Sequence, residues 1–197
     1  MKSYVTNRVT PQQKLINTNN RFGNTGIKQQ QGSSVILYDT LPLVGTELRF
    51  FEGAQSRNFP LTNCSDIGNR LNVGESMAIE SVYLQLVTFD PDSGNIATVT
   101  PLTNATDPGI LTSEFKITIA NTEVLKKIPV LSWIPDNNPM ADNQLCSTWE
   151  TSTQIIIPPL LEFICSVRLG DYLPAENTAL RLTIAGAGAI IAPQRTF

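Results

Sequence analysis

Past residue 34 the chain alternates apolar and polar positions with a period of two and offers no convincing amphipathic helix. Glu114 to Ile119 (EFKITI) alternates most cleanly. Phe115, Ile117 and Ile119 fall on one side, and Glu114, Lys116 and Thr118 on the other, as a half-buried strand requires. Asn121-Thr122 follows as a tight-turn signal, and Glu123 to Ile128 is placed to return as its hairpin partner. Leu161 to Leu169 (LEFICSVRL) alternates again, with Leu161, Phe163, Cys165, Val167 and Leu169 expected inward. Val35 to Tyr38, Glu47 to Phe51, Ile155 to Ile157 and Leu180 to Ile184 read as further strands. Pro158-Pro159 ends the isoleucine strand because proline has no ladder donor.

Ser76 to Phe89 is the longest patterned segment. Met77, Ile79, Ser81, Tyr83, Gln85 and Val87 form one alternate set; Ala78, Glu80, Val82, Leu84, Leu86 and Thr88 form the other. Neither set is wholly apolar, and a helix is conceivable. The β-branched and aromatic content, with Asp90-Pro91-Asp92-Ser93-Gly94 behind it, favours a long strand carrying a bulge. The total is seven to nine strands, with long loops at Ser93 to Thr112 and Pro135 to Ser147. This predicts an all-β fold: a single jelly-roll, Greek-key β-sandwich over residues 35–197. No internal repeat argues for a propeller or solenoid.

Residues 1–34 differ. They are rich in Gln and Asn, lack apolar periodicity and predict an extended polar, basic N-terminal arm. Up to residue 38 there are five basic residues, Lys2, Arg8, Lys14, Arg21 and Lys28, and no acid. A segment of charge +5 therefore precedes a body of −8, which gives the net −3. The five cations are candidate contacts either to neighbouring subunits or to nucleic acid through phosphates. Dedicated genome-binding arms show blocks of Lys or Arg, so tying across a neighbour's acidic body is preferred. A plain disordered tail is the third reading.

Composition narrows the function classes. Charged residues make up 16% of the chain, against about a quarter in ordinary soluble domains. A surface of Ser, Thr, Asn and Gln repels its copies weakly and suits burial against other subunits. Histidine is absent, which excludes Ser-His-Asp and Cys-His catalysis and His-ligated zinc. Residues 1–10 hold no apolar core of signal-peptide length, and no stretch approaches 18 uninterrupted apolar residues, so no membrane span is expected. Cys64, Cys146 and Cys165 form no Cys-x-x-Cys pair, Cys165 is expected to be a buried inert thiol, and the chain reads as made in a reducing cytoplasm.

Candidate chemistry is thin. Asp90 to Asn95 resembles part of a calcium loop, but the position where an EF-hand needs its terminal Glu is Pro101, and a turn is the better account. Asn63-Cys64-Ser65 and Asn104-Ala105-Thr106 match a glycosylation sequon and are expected to stay unmodified. Trp133, Trp149 and Tyr172 are candidates for a sugar-stacking platform, weighed against core or interface packing. Glu47, Glu52, Glu75, Glu80, Glu114, Glu150 and Glu162 offer carboxylates, but nothing in their spacing selects a catalytic pair. Gly186-Ala187-Gly188 resembles a fragment of a phosphate loop without its helix; close backbone packing at a subunit contact is preferred.

Four blocks carry a family resemblance: Leu48 to Gly53 (LRFFEG), Asn72 to Ile79 (NVGESMAI), Ile155 to Pro159 with Leu161 to Ile164 behind it, and Leu180 to Gly186 (LRLTIAG). Their order resembles bacteriophage virion proteins with a jelly-roll body. The resemblance implies a capsid-type structural protein that forms homotrimers or larger lattices in the virion. It implies other virion proteins as partners, synthesis in the host cytoplasm, no catalytic residues, no metal and no cofactor. The alternative is a receptor- or carbohydrate-binding β-sandwich of a phage fibre or spike, and a hydrolase on the same scaffold is the third.

Overall fold

A computed structural model of the protein describes residues 30–90, 92–102, 108–133, 148–169 and 176–191. Among them nine strands form two antiparallel sheets in a sandwich-like arrangement, so the fold is all-β. Sheet 1 contains β1 (Gln30–Pro42), β3 (Glu75–Phe89), β4 (Ile96–Pro101), β7 (Thr148–Ile157) and β9 (Thr178–Ile191). Sheet 2 contains β2 (Glu47–Phe50), β5 (Glu114–Ile119), β6 (Thr122–Pro129) and β8 (Phe163–Arg168), in the order β2-β8-β5-β6. In sheet 1, β9 lies between β1 and β3, while β7 and β4 also pair with β3, at residues 77–83 and 85–89.

The pairing is nested. β1 pairs with β9, β2 with β8, β3 with β7, and β5 with β6. A single long antiparallel ribbon, folded over so that successive pairs fall in alternate sheets, gives this order. β4 is an addition, a hairpin return from β3 through Asp90 to Asn95. Ser93 to Thr112, expected as one loop, therefore contains a strand and a short helix, Pro108–Leu111.

Alternation explains most of the strands. β5 follows the expected register, with Phe115, Ile117 and Ile119 buried. Ala120 and Asn121 both take positive φ, 46° and 64°, and join β5 to β6 in the tight return that such values permit. In β8, Phe163, Cys165 and Val167 are buried, as is Leu169 just beyond it. Leu161, expected inward, is 43% exposed because it precedes the strand and lies in the turn after Pro158-Pro159.

β3 carries the bulge. Its register shifts between Ile79 and Ser81 against both β7 and β9. Met77 and Ile79 from one alternate set enter the core before the shift, and Val82 and Leu84 from the other enter it afterwards. One extra residue reverses which side of a strand faces inward, which is why neither set was apolar throughout. Gly186 lies opposite this irregularity. A Cβ there would sit 2.0 Å from the Ala78 carbonyl oxygen, and one at Gly188 would sit 2.4 Å from Val35 Cγ2. The close packing expected of Gly186 and Gly188 occurs inside sheet 1, within β9, against Ala78 and Val35.

The core fills the space between the sheets. Phe51 and Phe163 approach at 5.1 Å between ring centroids, and Trp133 meets the edge of Phe115 at 5.0 Å. Each such fully buried side chain contributes roughly 1.5–3 kcal/mol. β1 begins at Gln30, so the last residues counted with the arm, 30–34, are the first of that strand and pair with β9.

Candidate assembly surface

The molecule's most unusual polar contact is internal. Asp39 is fully buried and accepts from Arg57 Nη2 at 2.6 Å and Nε at 3.0 Å, from the Phe51 N–H at 2.7 Å and from the Thr40 N–H at 3.1 Å. A carboxylate taken out of water is tolerated only with such complete partnering. The result fastens the loop after β2 onto β1. The same loop is tied again by Arg181, which donates to Thr40 Oγ1 and to the Pro60 carbonyl and lies over the Tyr38 ring. Asn63 completes the strap. It accepts from the Tyr38 N–H at 2.8 Å and donates from its side chain to the Ile36 carbonyl at 2.7 Å. Its sequon amide is therefore a structural group. Sequence reasoning missed this lock; the available signal was one acid, Asp39, inside the run from Val35 to Leu43.

That strap presents Phe59, 83% exposed, one residue from the clamped Pro60. A second apolar group lies where the chain crosses near residues 69–73 and 159–163. There Leu71 bridges Pro159, the Leu160 N–H donates to the Leu71 carbonyl, and Arg70 pairs with Glu162. Val73, Leu160 and Leu161 are all exposed around this junction. Leu160 also has φ 61°, a left-handed conformation that a bulky side chain adopts at a cost of roughly 1–2 kcal/mol. A leucine held strained and turned to water is unfavourable twice over, which makes this junction a candidate contact site.

The outer face of sheet 2 has the opposite character. Glu47, Arg168 and Glu114 align across β2, β8 and β5, followed by Arg49, Ser166 and Lys116. Lys116 Nζ lies 3.2 Å from Glu47. All of these but Arg49 line a depression of about 310 Å³, together with Glu123 and Lys127 from β6. The first row alternates in sign, and Lys116 and Arg49 of the second are compensated by Glu47 and Glu52. Other candidate carboxylates are likewise engaged nearby: Glu52 with Arg49 at 2.9 Å, Glu162 with Arg70, and Glu75 with Asn72.

The remaining candidates resolve individually. Trp133 is buried, 3% exposed, and packs between Phe115 and Trp149, so it is a core residue and not a stacking platform; Tyr172 lies outside the described residues. Asp90 closes the β3–β4 turn, accepting from Ser93 Oγ at 2.7 Å and from the Asp92 N–H, and these hydrogen bonds hold its carboxyl below the usual range. Cys165 is buried and its thiol is pushed far up by that burial, with Asp39 adding to it. Burial and then Asp39 push Cys64 up to about 12. Cys146, Asn104 and the arm cations Lys2, Arg8, Lys14, Arg21 and Lys28 lie outside the described residues. Among the described residues no three His, Cys, Asp or Glu side chains converge to hold a metal, and no helix is long and apolar enough to cross a membrane. No family model matches the chain, and no curated protein is significantly similar to it.

Proposed function

We propose that the chain is a structural, capsid-type subunit of a virion, folded as a single jelly roll and working by assembly with copies of itself. The nested pairing of β1 with β9, β2 with β8, β3 with β7 and β5 with β6 supports the jelly-roll reading. Such rolls serve in capsids, lectins and enzymes alike, so fold alone does not select among them. The observation that carries the assembly reading is the set of large apolar side chains left in water on well-tied loops: Phe59, Val73, and Leu160 in its strained conformation. Val73 and Leu160 lie together at the Leu71–Pro159 junction, and clustered exposed apolar groups mark contact sites. The low charge density and the +5 segment before a −8 body point the same way. In the assembly the arm lies on a neighbouring subunit, and the role is structural instead of catalytic.

The test is to purify particles from the source by density gradient and quantify their proteins by mass spectrometry. The reading expects this chain among the abundant particle proteins. Particles that lack it overturn the virion assignment.

A further inference from the structure

We propose that the outer edge of β1 between Gln30 and Ile36 is an assembly edge, which pairs antiparallel with the same edge of a second copy and joins the two subunits through sheet 1. The inference rests on the assembly reading and names the surface that performs it.

β9 occupies one edge of β1 in unbroken register, from Gln30 opposite Ile191 to Pro42 opposite Ala179. On the other edge, the strap of Thr62 and Asn63 takes the Tyr38 N–H, the Tyr38 carbonyl and the Ile36 carbonyl. Successive residues of an antiparallel strand direct their main-chain groups alternately to the two edges. Tyr38 therefore sets the phase, and Gln30, Gly32, Ser34 and Ile36 all present to the outer edge. Among the described residues nothing pairs there with the main chain of Gln30, Gly32 or Ser34.

Exposed edges of this kind are normally guarded by charge, proline or shortness. The other edges follow the rule. β2 has four residues including Glu47 and Arg49; β6 carries Lys126 and Lys127 and ends at Pro129; β4 ends at Pro101; β7 carries Glu150 and runs into Pro158-Pro159. From Gln29 to Tyr38 there is neither a charge nor a proline. Among the described residues, the unguarded edge is thus also open.

A second copy is the occupant for two reasons. The edge complements itself: antiparallel pairing about Ser33 sets Gly32 opposite Ser34 of the partner subunit, in the isologous manner of a twofold dimer. Charge supplies the other reason: residues 1–38 carry +5 and the remainder −8, so two copies complement each other in charge. Ile36, 58% exposed, gains cover at the same contact.

The experiment is light scattering coupled to size exclusion on the full chain over a concentration series, for the wild type, Ser34→Pro and Ser34→Lys. The Ser34 N–H points away from β9, so proline removes an edge donor and spares the β1–β9 ladder. Lysine keeps the donor and places a charge on the edge, and it decides the matter if the proline variant does not fold. Circular dichroism and the thermal midpoint report folding. The expected result is a self-associating wild type and folded variants whose dissociation constant rises about tenfold or more, a loss of about 1.4 kcal/mol. Folded variants that associate like the wild type overturn the edge and leave the assembly reading standing. A wild type that stays monomeric overturns both.

Discussion

Sheet 2 is short-stranded and charged; the three strands β1, β9 and β3 of sheet 1 are long and nearly neutral. Strands of four to eight residues make up sheet 2, and its outward rows alternate Glu47, Arg168, Glu114 and Arg49, Ser166, Lys116. β1, β9 and β3 run for thirteen, fourteen and fifteen residues. Their positions alternate to the core include Ile36, Tyr38, Thr183, Ala185, Tyr83 and Gln85, with Arg181 engaged by Thr40 and Pro60. Opposite charges paired across strands finish a face for water. On the proposed assembly reading, solvent covers the charged side of the sandwich and partner subunits cover the neutral one.

The comparison breaks most visibly at the β1 strap. Asp39→Ala leaves Arg57 and the Phe51 N–H without their buried acceptor, and loss of one partner from a buried pair costs about 3–5 kcal/mol. Urea unfolding measures it. Next comes Gly186→Ala, whose Cβ meets the Ala78 carbonyl at 2.0 Å inside sheet 1. The expected loss is about 3 kcal/mol, the upper range for overpacking.

A third effect is pH-dependent. The Cys64 thiol is raised from 9.0 to about 12 in the folded chain, so the native state keeps a proton that the unfolded chain releases first. Its contribution is fully present below pH 9 and is lost as pH rises from 9 to 12. Thermal midpoints should fall over that window, and less steeply in a Cys64→Ala variant. The smallest effect belongs to sheet 2. Lys116→Ala removes a half-exposed ion pair with Glu47 and should change stability by no more than about 0.5 kcal/mol. A larger change there would show that the charged face holds the fold together as sheet 1 does.

How much of this was legible in the sequence depended on side-chain contrast. β5 was readable because EFKITI separates apolar from charged residues at each step. The bulge in β3 was readable because Met77 and Ile79 change phase with Val82 and Leu84. β4 was missed: Ile96 to Pro101 (IATVTP) has threonines where a half-buried strand would show clear polarity, and it was absorbed into a loop. The far half of β9 was missed because Gly186, Ala187 and Gly188 carry no hydrophobic signal, although their smallness is what the close approach of β3 and β1 demands. The Asp39 lock and the crossing of Leu71 with Pro159 join residues far apart in the chain, and no local pattern encodes them. Trp133 was read as core or interface packing in preference to a surface platform, and its place beside Phe115 makes it core.

Self-association of the intact chain tests the central claim most directly. Sedimentation velocity on purified full-length protein, run over a concentration series at neutral pH, reads it without labels or variants. The account predicts a sedimentation coefficient that rises with concentration toward a defined oligomer or particle. A single species at the monomer mass of 21.6 kDa across the whole series would contradict it.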